Sequence, residues 1–141
     1  MLDTRLAPYG VLLLRVTLGV MFLAHSLVLK LVMMSLSGNA AFFAAQGFPE
    51  WLGYAVFWAE VIGGFALVLG IQARWAALAL SPILIGAVWV HSGNGWVFLA
   101  ENGGWEYPLY LTVATIAQAM LGDGPCALSP SRWPLYARAR G

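Results

Sequence analysis

Six ionisable side chains lie inside or at the ends of long apolar runs of this sequence: Arg15, His25, Lys30, Glu60, His91 and Glu106. Imidazoles exchange protons near neutral pH. Carboxylates can accept or relay protons, and guanidinium or ammonium groups stabilise developing negative charge. A quinone is an apolar ring carrying carbonyl oxygens, so it suits an apolar pocket with a few polar groups. His25, His91 and Glu60 are therefore candidates for proton exchange, and Arg15, His25, Lys30, Glu60, His91 and Glu106 for ligand binding, with a quinone as the cofactor-like ligand. The sequence leaves open whether any of them is catalytic.

A structural role is open to each as well. Arg15 and Glu60 could form an interhelical ion pair that fixes packing. Lys30 could snorkel to an interface. His91 could favour a helix C-terminus and Glu106 a helix first turn, both through the helix dipole. His25, a lone imidazole well inside an apolar run, needs a partner in either role. Both histidines with Glu60 and Glu106 could hold a metal, but no His-x-x-His or Glu-x-x-His pair occurs, so no metal is expected. The single cysteine, Cys126, excludes an internal disulfide and a thiolate metal cage. Gly93 and Gly95 make no phosphate-binding fingerprint, because no strand precedes them. There is no basic run for nucleic acid.

These residues must be positioned by apolar elements. The chain is 61% hydrophobic and 9% charged, whereas soluble domains carry about 25% charged residues. A soluble fold of this size leaves roughly a third of its unfolded surface in water, so the composition requires lipid. It predicts a single all-α membrane domain over 1–141, a four-transmembrane-helix bundle with spans over 8–34, 51–70, 75–91 and 106–121. A short interfacial helix should follow the first span, and a polar tail should occupy 122–141. The last two spans are at the short end of the roughly 17 to 25 residues that cross a bilayer. Pro82 should kink the third span. The N-terminal segment reads as a retained first helix rather than a signal peptide, since its basic region is weak and Arg15 interrupts the apolar run.

With four spans, both termini and the middle connection share one side, together with Arg5, Arg74, Arg132, Arg138 and Arg140. The other side carries Glu50, Glu101 and Glu106. The positive-inside rule then puts the termini in the cytoplasm, with Trp51, Trp96 and Trp105 at the outer interface and Trp75 and Trp133 at the inner one. Glu60 falls near the midplane, about 13 Å below the outer edge. His25, Lys30, His91 and Glu106 fall in the outer half, and Arg15 is deeper. On the first helix, α winding sets His25 about 80° to one side of Arg15 and Lys30 about 60° to the other. Gly19 shares that sector, and Gly63 and Gly64 stand beside Glu60, so an Arg15–Glu60 contact is expected across a small-residue crossing.

The stretches LLLRVTLGVMFLAHSLVLK (12–30), AAFFAAQGFPEW (40–51), AEVIGGFALVLGIQARWAALAL (59–80), VHSGNGWVF (90–98), WEYPLYL (105–111) and GDGPCALS (122–129) together resemble the DoxX family of small four-helix membrane proteins. Order and spacing carry the resemblance more than any one motif, and it covers most of the chain. Lys30 stands further from His25 than the family's usual pattern has it. The resemblance implies a multi-pass protein of the bacterial inner membrane tied to oxidoreductase chemistry. Some family members are named for a subunit of a thiosulfate:quinone oxidoreductase, and others sit beside thiol and oxidative-stress functions. The expectation is a membrane subunit of an oxidoreductase system with a small redox molecule in an outward-facing polar pocket. The alternatives are a non-catalytic anchor or scaffold for partner proteins, or a small-solute carrier, which would require a homo-oligomer.

Overall fold

The apolar runs fold as helices because apolar residues fill nearly every position between breaks rich in Gly, Pro, Ser and Asn. A computed structural model describes residues 3–132. Trp133, Arg138 and Arg140, used above for orientation, lie outside the described residues. Among these the order is α1 (Ala7–Leu23), a π-helical segment (Ala24–Met33), α2 (Leu36–Ala45), α3 (Glu50–Leu69), α4 (Ala73–His91) and α5 (Glu106–Leu121). There is no strand among the described residues, only an isolated bridge between Ile71 and Ser129.

Among the described residues three helices are long and apolar enough to cross a membrane: Ala7–Met33, Glu50–Leu69 and Ala73–Asn94. The third begins and ends beyond the limits expected from sequence, since a 3-10 turn (Ser92–Asn94) continues α4. With 16 residues, α5 spans about 24 Å and is shorter than those three. Pro82 lies inside α4. The short helix expected after the first span is α2; Ser35 caps it, its Oγ accepting from Gly38 N–H at 3.1 Å.

Helix α1 crosses α3 closely through glycines. A Cβ on Gly19 would lie 2.8 Å from Gly64 O, and one on Gly64 would meet Leu23 and Gly19 O. Gly63 faces α4, where Leu80 fills the space a Cβ would need. Close backbone approach of this kind lets helices associate in lipid, where no hydrophobic force drives them together. The core lies beside this crossing, with Leu18, Phe22, Leu67, Ala73, Ala77, Leu80, Leu84 and Ala119 buried. Many large apolar residues face outward instead, among them Leu13, Val32, Ile62 and Met120, as a lipid-facing surface requires.

The described part of the expected polar tail is not free. Asp123 is buried, and its Oδ1 accepts from Ala73 N–H at 2.7 Å, so it caps α4 from the far end of α5. Its Oδ2 accepts from Ser131 N–H and Oγ. Ser129 N–H donates to Gly70 O, and Gln72 N–H donates to Ser129 O. Residues 122–132 thus close one end of the bundle. Gly70 makes this closure sterically feasible. It has φ +68°, and a Cβ there would overlap Arg15 Nη1 and approach Ala127 Cα at 2.6 Å.

Gly70→Ala therefore combines a left-handed backbone penalty of about 1–2 kcal/mol with a steric overlap. It should lower the unfolding temperature of the detergent-solubilised protein. Gly10→Ala, where no atom lies within 4 Å of the added Cβ, should not. Equal melting of the two variants would contradict the closure described.

Candidate functional site

The first helix changes pitch at Ala24, just before His25 and Lys30. In the segment Ala24–Met33 the backbone closes i→i+5 hydrogen bonds, as at its end, where Met34 N–H donates to Leu29 O at 2.9 Å. Under α winding His25 and Lys30 would stand about 140° apart. The wider π turn carries residues five apart toward one face, and residues four apart nearly into line. Ser26 and Lys30 accordingly reach the same atom: Ser26 Oγ donates to Glu60 Oε2 at 2.8 Å and Lys30 Nζ at 2.7 Å. All three residues are buried. Glu60 Oε1 takes no hydrogen bond from any described residue.

The expected Arg15–Glu60 contact does not form. Arg15 is buried at the other end, where Nη2 donates to Pro125 O at 3.2 Å and Cys126 O at 3.4 Å. Arg15 packs beside Gly70, ten residues beyond Glu60, so about 15 Å of helix separates the two charges that sequence counting sets at similar depth. The sequence-level signals of the true partners were Ser26, four residues before Lys30, and the GDGPC turn that meets Arg15. Ser26 carries no charge, and the turn answers Arg15 with backbone carbonyls rather than with Asp123, so charge arguments passed over both. Lys30 does not snorkel; it is buried against its carboxylate.

The Lys30–Glu60 pair forms part of the wall of a cavity of about 580 Å³ at the end of the bundle opposite the closure by 122–132. His25 and His91 line it too, among mostly apolar and aromatic neighbours from the π segment and α2 to α5. His25 makes no hydrogen bond with any described residue, and its side chain is open to the cavity rather than packed away. His91 ends α4 and is anchored to the following loop. Its Nδ1 lies 3.1 Å from both Asn102 O and Gly103 O. Asn94 Nδ2 donates to the same two carbonyls at 3.0 and 2.9 Å. Asn39, from α2, is held by Gly53 O at 2.8 Å and also faces the cavity.

Glu106 lies outside this cavity. Its Oε2 accepts from Phe98 N–H at 3.2 Å, and it borders a separate recess with Trp96 and Tyr110. Four of the six sequence candidates thus share one cavity, and Arg15 and Glu106 do not. Among the described residues no three His, Cys, Asp or Glu side chains come together as metal ligands would.

The arrangement places one neutralised ion pair and two histidines in a large apolar chamber. Its chemistry is that of holding an uncharged, mostly apolar molecule and orienting its polar atoms. The DoxX family model matches residues 10–93, which include α2 to α4, most of α1 and every residue of that group. A protein of Bacillus subtilis (strain 168) named "Putative oxidoreductase CatD" is 31% identical over 121 residues, covering 86% of this chain and 85% of its own length. No solved structure matches the chain.

Removing one partner of a buried ion pair costs about 3–5 kcal/mol, whereas replacing both by apolar groups is often neutral. Lys30→Met should therefore destabilise strongly, and Lys30→Met with Glu60→Met should recover most of the loss. Chemical unfolding in detergent reads both. A double variant less stable than Lys30→Met alone would show that the two charges are not each other's main support.

Proposed function

This chain belongs to the DoxX family, and on that premise we propose that it is a four-span inner-membrane subunit of an oxidoreductase system that holds a quinone-type molecule in the cavity. The observation that carries the reading is the cavity itself. His25, Lys30, Glu60 and His91 meet on walls that are otherwise mostly apolar and aromatic. Lys30 and Glu60 cancel in charge, so the chamber favours an uncharged guest over an anion. A planar ring with oxygen atoms at its edge uses both kinds of wall: the faces pack on aromatic side chains and the oxygens reach the polar groups.

In this reading α5 is the fourth span, its shortness offset by local thinning of the bilayer. Arg5, Arg15, Arg74 and Arg132 belong to the end closed by 122–132, and Glu50, Glu101 and Glu106 to the cavity end. The positive-inside rule then sets the closed end and both termini in the cytoplasm and opens the cavity toward the opposite face. His25, His91 and Glu60 exchange protons with the guest, and Lys30 stabilises negative charge developing on its oxygen. The redox partner that delivers or removes electrons is a separate protein of the system, in keeping with the lack of any flavin, haem or nicotinamide motif in the sequence.

The test is equilibrium binding of duroquinone and of its reduced form, duroquinol, to the purified protein in detergent. At least one form should bind saturably. His25→Ala, which breaks no hydrogen bond within the protein, should weaken that binding about tenfold, the effect of losing one hydrogen bond to the guest. Failure of the native protein to bind either form would sink the reading.

A further inference from the structure

A carbonyl oxygen can only accept a hydrogen bond. His91 Nδ1 sits 3.1 Å from two of them, Asn102 O and Gly103 O, so Nδ1 carries the ring proton. Asn94 reinforces the choice. Its Nδ2 lies 3.4 Å from His91 Nδ1 but is already donating to the same carbonyls, which fixes the loop oxygens in place around the ring. In the neutral imidazole the other nitrogen, Nε2, is then an acceptor with a free lone pair. No described residue donates to it. Glu60 Oε1 is a second acceptor without a partner on the same cavity.

The donors are elsewhere on the wall. Lys30 Nζ spends one N–H on Glu60 Oε2 and makes no other hydrogen bond with a described residue. A guest that fits must therefore accept near Lys30 and donate at His91. A quinone carbonyl accepts and cannot donate, so at His91 two lone pairs would face each other. A hydroxyl does both.

We infer that the ligand meets His91 Nε2 with an O–H group, so that the cavity takes a hydroxyaromatic, hydroquinone-type molecule in preference to the corresponding quinone. Asn94 acts as a positioning residue: it touches the loop carbonyls that set the His91 tautomer, not the guest. This rests on the quinone-type reading above and adds the redox form that the site selects. It concerns binding alone and involves no electron transfer.

The experiment compares duroquinol with duroquinone, both titrated anaerobically against native protein, His91→Phe and Asn94→Ala. An unpaired acceptor in an apolar site costs about 1–3 kcal/mol, so native protein should bind duroquinol about 10- to 100-fold more tightly. His91→Phe keeps a ring of similar shape without the acceptor, and its ratio of affinities should fall toward one. Asn94→Ala should lower the ratio without abolishing binding. In native protein labelled with nitrogen-15 at histidine, the resonances of one ring should show a protonated Nδ1 and a bare Nε2, and His91→Phe should remove that signal. Duroquinone binding as tightly as duroquinol to native protein, or a ratio untouched by His91→Phe, overturns the inference while leaving the cavity a quinone-type site. Binding of neither form overturns both.

Discussion

A charge held in a low-dielectric bundle must be matched within hydrogen-bond distance, and the Lys30–Glu60 pair meets that requirement at 2.7 Å. Much of the surrounding structure follows from it. The ammonium is on the first helix and the carboxylate on α3, so those helices must approach closely, and Gly19 and Gly64 permit the approach. An α-helical turn would aim His25 away from Lys30. The π winding of Ala24–Met33 lets both face the cavity while Ser26 gives Glu60 Oε2 its second donor. A polar group left without a partner in lipid costs several kcal/mol, so each of these details supports the others.

The opposite end answers its buried charge with neutral partners, and through one guanidinium nitrogen, Nη2. Arg15 is buried, yet no carboxylate answers it; the carbonyls of Pro125 and Cys126 do. Asp123, two residues before Pro125, serves the N-terminus of α4 and the Ser131 hydroxyl instead. Arg15 is then a fastener: it draws residues 122–132 across the bundle, and Gly70 makes room for it. The charged residues divide by task. One set closes an end, and the other lines a chamber.

Much of this was legible in the sequence, and the parts that were not have a common cause. Hydropathy gave the three long helices, because an apolar run longer than a bundle core needs has few other fates. Turn residues located the breaks, and Gly19, Gly63 and Gly64 signalled a close crossing. The grouping of His25, Lys30, Glu60 and His91 at one end followed from counting residues along antiparallel helices. What failed was angle in one place and depth in another. A hundred degrees per residue assumes α pitch, and ten residues of the first helix do not keep it, so His25 and Lys30 were set too far apart. The Arg15–Glu60 pairing failed in depth: Arg15 lies against Gly70, ten residues and about 15 Å of helix beyond Glu60. The longer His25–Lys30 spacing, which departs from the family's usual pattern, is the spacing a π turn accommodates. Glu106 failed differently. Depth placed it at the right rim, but the loop folds back so that Phe98 N–H takes its carboxylate.

Stability and recognition fall in different halves of the molecule. Leu67, Ala73, Ala77 and Leu80 are almost wholly buried, and they lie in the half closed by Asp123 and Arg15. There the helices touch through small residues, leaving little free volume. Toward the other end the same helices carry larger, more exposed side chains, and α2 with its phenylalanines stands at the side of the opening rather than in the core. A chamber can be kept empty of protein only if the helices that frame it are held elsewhere. The closed end supplies that support, and the Lys30–Glu60 pair carries it up to the cavity wall. Polar residues facing the chamber are thus free to be chosen for a guest. His25, which makes no hydrogen bond with any described residue, is the plainest instance of a side chain that the fold itself does not use.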